Sequence, residues 1–204
     1  MEPIKAIQIL MNEHRLIERG LKIMESVATY IAKNKDIPVL DLEELLDFTK
    51  NFADDFHHLK EENVLFKWMT EKGFPSEGGP IHCMLSDHDV GRDFVKKIED
   101  EIKKENSALS REVITVSLID LSNHLAGHIF KEDNVLYPMV TQIAVKNSCG
   151  DVLDLEAISD AIKLANEEII SRYNLQVGAS KQRHMNKKYE DLIKNLESKY
   201  PSSE

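Results

Sequence analysis

The chain has 204 residues, of which 42% are hydrophobic and 30% are charged. This balance is typical of a globular protein and excludes a chain that is disordered throughout. The formal net charge of −10 argues against general binding to a nucleic-acid backbone, so we expect no nucleic-acid partner.

The first residues and the cysteine content bear on the cellular compartment. Residues 1–15 show no basic segment followed by an apolar stretch and a cleavage site, so no signal peptide is expected. No apolar run approaches the roughly 18 residues that a membrane helix needs, and we expect no membrane partner. Cys83 and Cys149 lie far apart in unlike settings, which does not suggest a disulfide framework. These features predict a cytoplasmic protein.

The first two predicted elements are amphipathic helices. Apolar residues recur at steps of three and four from Ile7 to Ile31, which is the pattern of a helix in a bundle. His14 occupies a position on this apolar stripe where an aliphatic residue is expected. A second helix is predicted over residues 41–72, before a connection rich in Gly and Pro.

Two more long helices and two weaker ones follow. Pro80 is well placed in the first turn of a third helix. The fourth helix is predicted to begin with Ser110 as its N-cap, and Pro138 should kink or end it because proline has no N–H to donate. Weaker helical patterns cover residues 154–172 and 180–198.

The predicted fold class is all-α, because no segment shows the alternation of a strand. We predict a four-helix bundle in residues 1–148. A helical C-terminal extension, residues 149–204, is predicted to pack on the bundle or to follow it.

A ten-residue motif occurs twice, 71 residues apart. It reads HHLKEENVLF at residues 57–66 and HIFKEDNVLY at residues 128–137. The alignment sets the pair His57-x-x-x-Glu61 against His128-x-x-x-Glu132. At this spacing a histidine and a glutamate lie on the same face of a helix, about one turn apart.

Four histidines fall on the inward stripes of four different predicted helices: His14, His57, His88 and His128. One such histidine is more often a hydrogen-bonded core residue, and one His-x-x-x-Glu pair is commonly an exposed helix pair. Together, however, these imidazoles and carboxylates would be costly to bury without partners. A metal centre satisfies them, and bundle interiors commonly hold one. The joint pattern therefore favours metal binding.

Two neighbouring histidines are harder to assign. His58 has the same spacing to Glu62 as His57 has to Glu61, but it aligns with an isoleucine in the repeat. We interpret it as a residue that flanks the site. His124 lies one turn before His128 and stays open as a fifth histidine ligand.

The set of donors bears on the metal. Imidazoles and carboxylates without cysteine favour iron, manganese or zinc over copper(I) or an iron–sulfur cluster. One ion cannot use all these donors, whereas two ions can if Glu61 and Glu132 bridge them. A pair of irons with an open position can bind or reduce dioxygen, nitric oxide or peroxide. The candidate metal ligands are His14, His57, Glu61, His88, His124, His128 and Glu132.

These motifs resemble the hemerythrin-like, or HHE, cation-binding proteins of the stand-alone prokaryotic type. The resemblance covers roughly residues 4–145 and includes the stretch GGPIHCMLSDHDVGR at residues 78–92. It implies an up-down-up-down bundle around a non-haem diiron centre, with two bridging glutamates and four terminal histidines. Its motifs, one per helix, are Asn12-Glu13-His14, His57-x-x-x-Glu61, Ser86-Asp87-His88-Asp89 and His128-x-x-x-Glu132.

The resemblance also suggests a function. It implies two iron ions that bind a small oxidant (dioxygen, nitric oxide or peroxide) for sensing, storage or detoxification, with zinc or manganese as substitutes. Two alternatives stay open. One is an enzyme that reduces peroxide or nitric oxide, or that donates iron for iron–sulfur repair. The other is an iron-responsive module that contacts a protein partner. The sequence identifies neither such a partner nor an electron donor.

Overall fold

A computed structural model describes residues 4–149 and 155–201. Over these ranges the chain forms six helices and no strand, which confirms the all-α prediction. The helices are α1 (Lys5–Asn34), α2 (residues 39–71), α3 (Pro80–Ile102), α4 (residues 108–149), α5 (Leu155–Gln176) and α6 (Ala179–Lys199).

The helix ends follow from local sequence. α1 ends where Lys35 adopts the left-handed conformation, with φ of 56°. α3 begins at Pro80, as expected. The prediction that Ser110 caps α4 was wrong: the cap is Ser107, whose Oγ accepts a hydrogen bond of 3.0 Å from the Ser110 backbone N–H. The helix therefore starts one turn earlier, at the first hydroxyl residue that can satisfy its free N–H groups.

Both copies of the repeated motif contain a π-helical turn. The turns are Glu61–Leu65 in α2 and Glu132–Leu136 in α4, so they begin at the equivalent glutamates. α2 contains another π-helical segment, Thr49–His58. Pro138 follows the turn in α4 and does not end this helix, which continues to Cys149. π-Helical turns are rare and are often found at functional sites.

Helices α1 to α4 form the bundle, and short connections at residues 35–38, 72–79 and 103–107 join them so that successive helices run in opposite directions. Their apolar residues form two clusters, one at each end of the bundle. One contains residues such as Met24 and Phe52, and the other contains residues such as Leu10 and Met69. A layer of buried polar residues lies between these two clusters.

The C-terminal extension packs on the bundle. α5 contributes to the apolar cluster that contains Leu10, and α6 contributes to the cluster that contains Met24. The predicted domain boundary between residues 148 and 149 stays a prediction. Among the described residues of the extension, the buried apolar side chains are Ala161, Ala165, Ile169 and Tyr173 on α5, Tyr189, Ile193 and Leu196 on α6, and Tyr200 after α6.

Helix α4 is unusually apolar. Among the described residues, its segment Ala108–Lys146 is the one helix that could cross a membrane by length and composition, which differs from the expectation that no apolar run is long enough. Of its most apolar window, 44% is buried within the protein. The core helix of a bundle meets the same criterion, and α4 carries His128 and Glu132 in the bundle interior.

Candidate metal centre

The buried polar layer contains donors from all four bundle helices. A histidine or glutamate at these positions is buried because it lies on the same stripe as the apolar residues above and below it. Six of the seven candidate ligands are at most 1% exposed: His14, His57, Glu61, His88, His128 and Glu132.

The donor atoms form two groups that share Glu61. Within each group the candidate ligand atoms all lie within 4.8 Å of one another. The groups are cluster A, with His14, His57, Glu61 and Glu132, and cluster B, with His58, Glu61, His88 and His128.

Glu132 reaches an imidazole of each cluster. Its Oε2 atom lies 3.2 Å from Nε2 of His14 in cluster A and 3.2 Å from Nε2 of His128 in cluster B. A carboxylate in this position lies between the two groups of donors and is placed to contact an ion in either.

Glu61 has a similar position. Its Oε2 atom lies 3.7 Å from Nε2 of His57 in cluster A and 3.5 Å from Nε2 of His88 in cluster B. Its other oxygen accepts a 2.5 Å hydrogen bond from the hydroxyl of Tyr137, which also lies 3.3 Å from Nε2 of His14. The phenol therefore holds Oε1, and Oε2 is left for other bonds.

Several atoms at this centre are buried without a hydrogen-bond partner. They are Nε2 of His57, Oε2 of Glu61 and both carboxylate oxygens of Glu132. Unsatisfied buried polar atoms are costly and call for an explanation. Metal ions bound between these atoms would satisfy all of them. The residues present therefore fit a metal centre with imidazole and carboxylate ligands.

The five histidines of the two clusters are oriented in the same way. Nδ1 of each ring faces a carboxylate, which makes Nδ1 the protonated nitrogen and leaves the lone pair of Nε2 directed to the interior. The Nδ1-to-oxygen distances are 2.8 Å for His14 to Asp133, 3.0 Å for His57 to Glu13, 3.2 Å for His58 to Asp54, 2.7 Å for His88 to Glu62 and 3.2 Å for His128 to Asp87.

Cations hold these outer carboxylates in turn. Arg92 bonds both Asp54 and Glu62, at 2.7 and 2.8 Å. Hydrogen bonds from His128 and Lys131 lower the pKa of Asp87, against the effect of burial. The other two pairs are Arg15 with Asp133 and Lys60 with Glu13.

Burial sets the charge of the donors. It lowers the pKa of His58 to about 4 and that of His88 to about 3, so these imidazoles are neutral at neutral pH. Burial raises the pKa of Glu61 to about 8, and burial together with the neighbouring Glu61 raises the pKa of Glu132 well above its usual range. The two carboxylates therefore lack a counter-charge from the protein, and metal cations would supply it.

The structure differs from the sequence interpretation at His58. This histidine is 6% exposed and belongs to cluster B, whereas the repeat indicated a flanking residue. It closes the π-helical segment Thr49–His58. A wider π-turn rotates side chains by less than the 100° per residue of an α-helix, so adjacent histidines can both face the interior. The doublet His57-His58 was the available signal, and the repeat alignment obscured it.

His124 lies outside both clusters. Its Nε2 atom lies 2.8 Å from the backbone oxygen of Asp87, so the ring links α4 to α3 rather than facing the donors. On the helix it is rotated about 40° from His128, on the side away from Glu132. By contrast, Glu61 and Glu132 lie in the clusters, and Glu62 does not. The repeat alignment had selected Glu61 rather than Glu62. That these residues bind metal stays a prediction.

A cavity of about 380 Å³ borders cluster B. It lies between α2, α3 and α4. Its lining includes the small or apolar residues Ala53, Gly91, Val95 and Leu125 beside His58 and His88, together with charged residues such as Lys50, Asp54 and Arg92.

An all-α bundle with two groups of buried His and Glu donors defines a helical metal-binding domain. The model of the hemerythrin HHE cation-binding domain matches residues 5–140, and the chain belongs to this family. The match covers α1 to α3 and most of α4, and α5 and α6 lie beyond it. No curated protein and no solved structure matches the chain.

Proposed function

We propose that clusters A and B together hold a non-haem diiron centre that binds a small oxidant: dioxygen, nitric oxide or peroxide. The role would be sensing, storage or detoxification. The observation that carries this proposal is the position of the two glutamates, since Glu61 is common to both clusters and Glu132 contacts a histidine of each. A diiron centre would supply reversible redox chemistry and an exchangeable coordination position.

The two clusters are unequal, which supports a binding position for a small molecule. Cluster B offers three imidazoles and cluster A offers two. Because Glu132 contacts a histidine of each cluster, an ion in cluster A would have four protein donors and an ion in cluster B five, which leaves more room for an added ligand in cluster A. Burial and the nearby Glu61 raise the pKa of Tyr137 well above its usual range, so its hydroxyl stays protonated. Its single proton is donated to Oε1 of Glu61, so the phenol keeps this carboxylate in place beside cluster A.

The proposal is tested first by metal content. The donors suit iron, manganese and zinc, and iron is proposed because zinc has no redox chemistry and because the hemerythrin family typically binds iron. Protein purified without oxygen should contain close to two ions per chain, mainly iron. Its optical spectrum should change on oxidation. Reconstitution that yields no more than one ion of any metal per chain would contradict the dinuclear centre.

Stopped-flow mixing of the reduced, iron-loaded protein with dioxygen, nitric oxide and peroxide separates the functions. A reversible adduct supports ligand binding. Rapid multiple turnover in the presence of a reductant supports a peroxide or nitric oxide reductase instead. Slow oxidation coupled to a change in affinity for a protein partner supports an interaction module. No reaction with any of the three would contradict the proposed function.

A further inference from the structure

We infer that the C-terminal extension completes the metal centre: Gln182 of α6 is a positioning residue that fixes Glu13, and Glu13 orients the cluster A histidine His57. The inference rests on the proposed metal centre. It goes beyond it because α6 lies outside the range matched by the family.

The contacts of Glu13 carry this inference. Its side chain is buried, and Oε2 lies 3.0 Å from Nδ1 of His57. Its other oxygen accepts a 2.6 Å hydrogen bond from Nε2 of Gln182 and a bond from the Lys60 ammonium. One oxygen of Glu13 therefore bonds His57 and the other bonds Gln182 and Lys60, so a rotation of the carboxylate would break both sets of bonds.

Gln182 contacts both members of a buried ion pair. Its Nε2 donates to Glu13, and its Oε1 lies 3.4 Å from Nζ of Lys60. The Lys60 ammonium also lies 3.8 Å from the centre of the Phe56 ring. A buried ion pair needs additional hydrogen bonds to offset the loss of hydration, and Gln182 provides two from a single side chain.

This support differs from that of the other four histidines. Their carboxylate partners are paired with Arg15, Arg92 and Lys131, whose side chains are 54%, 39% and 42% exposed. The Lys60 side chain is 0% exposed, and a helix from outside the bundle covers the pair. Of the five histidines in clusters A and B, His57 is thus the one whose carboxylate partner is held by a residue of the C-terminal extension.

Helix α6 is held firmly enough to position Gln182. Arg19 of α1 binds Glu197 through two bonds of 2.7 and 2.8 Å and Glu190 through one of 2.8 Å. Tyr189 is fully buried, and its hydroxyl donates a 2.8 Å hydrogen bond to Asp47 of α2. These contacts tie the helix to α1 and α2, the same helices that carry Glu13 and His57.

The test is a titration of the full-length apoprotein with Co²⁺, whose visible spectrum reports ligand geometry. Gln182→Met keeps the length of the side chain and removes both polar contacts. We expect it to weaken one of two Co²⁺ binding steps, near the lower end of the roughly 10–100-fold range for outer partners of metal ligands. The spectrum of that step should shift, and the other step should keep its affinity and spectrum.

Arg183→Met is the matched control, because Arg183 is the exposed neighbour on the same helix. It should leave both steps unchanged. Gln182→Ala, which adds no apolar bulk, should reproduce the loss. Circular dichroism of each apoprotein shows whether the fold is intact.

The outcomes separate the inference from the proposed centre. If the wild-type protein binds two Co²⁺ ions and Gln182→Met behaves in the same way, the inference is wrong and the centre stands. An equal loss in both steps with a matching fall in thermal stability would show a structural role, which also overturns the inference. A wild-type protein that binds no pair of ions overturns the proposed centre itself.

Discussion

The imidazole of His58 lies flat against that of His88, with ring centroids 3.7 Å apart and planes 9° apart. The stack joins α2 to α3 inside the bundle. Because Nδ1 of both rings faces a carboxylate, both present Nε2 to the same interior space. His58 is therefore placed as a donor of cluster B.

Replacing His58 provides the first test of this assignment. In His58→Ala, cluster B keeps two imidazoles, so we expect the metal content to fall from two ions per chain towards one. His124→Ala is the control, because this ring bonds to the Asp87 backbone and should leave the metal content unchanged. Metal analysis after reconstitution measures both. If His124→Ala lost metal and His58→Ala did not, the assignment would be reversed.

The shared position of Glu61 predicts a larger effect. Glu61→Ala removes a donor from both clusters, so binding of both ions should be lost. Glu62→Ala removes only the partner of Nδ1 of His88 and should weaken metal affinity by about 10–100-fold. Competition with a chromophoric chelator measures both affinities. A protein that keeps its metals without Glu61 and loses them without Glu62 would contradict the assignment.

Metal removal should lower the melting temperature. Ligands from four helices converge on the centre, so ions that bind only the folded state stabilise it by mass action. The apoprotein also keeps buried donors without partners, which adds a cost. Helix content should be partly retained, because the apolar clusters at both ends of the bundle remain. Thermal unfolding followed by circular dichroism tests this, and equal melting temperatures would argue against an interior site.

The apoprotein should be most stable near pH 6.5. Burial lowers the pKa of His58 to about 4 and of His88 to about 3, so below 6.5 the unfolded chain binds more protons and stability rises with pH. Burial raises the pKa of Glu61 to about 8 from 4.5, so between these values the folded chain binds more protons. Above pH 6.5 the histidines become neutral in the unfolded chain as well, so the effect of Glu61 prevails. The free energy of unfolding should therefore fall towards pH 8.

The metal-loaded protein is the control for this pH profile. Bound cations keep Glu61 ionised, so the melting temperature of the metal-loaded protein should not fall between pH 6.5 and 8. Melting temperatures of both forms at half-unit intervals give the comparison. Parallel profiles for the two forms would show that the buried carboxylates do not govern the stability of the apoprotein.

The proposed ligand position lies in cluster A, and the cavity beside cluster B is a candidate route to it past Glu61, which the two clusters share. A Cβ atom at Gly91 would meet only the Leu125 side chain, at 3.5 Å, so Gly91→Val should fold and narrow the cavity. We expect slower reaction with tert-butyl hydroperoxide and a smaller effect on hydrogen peroxide. Val95→Ala, which enlarges the cavity, should have the opposite effect. Stopped-flow rates unchanged in both variants would place the approach elsewhere.

Much of this protein can be predicted from its sequence. Apolar residues at steps of three and four indicate the helices, because only one face of each helix is buried. The same periodicity exposes His14 and His88 as polar residues at core positions. The repeat selects Glu61 and Glu132, since i,i+4 spacing sets one His and one Glu on one face of a helix. These inferences depend on local geometry, which residue spacing determines.

Other features were decided by the tertiary structure. A π-helical segment turns His58 inwards, and no spacing rule for an α-helix anticipates that rotation. His124 bonds to the backbone of α3, and the chain between them has no motif that signals the contact. Gln182 meets Glu13 across 169 residues of sequence. Such contacts depend on how whole helices pack, because packing brings together side chains whose separation along the chain carries no periodic signal.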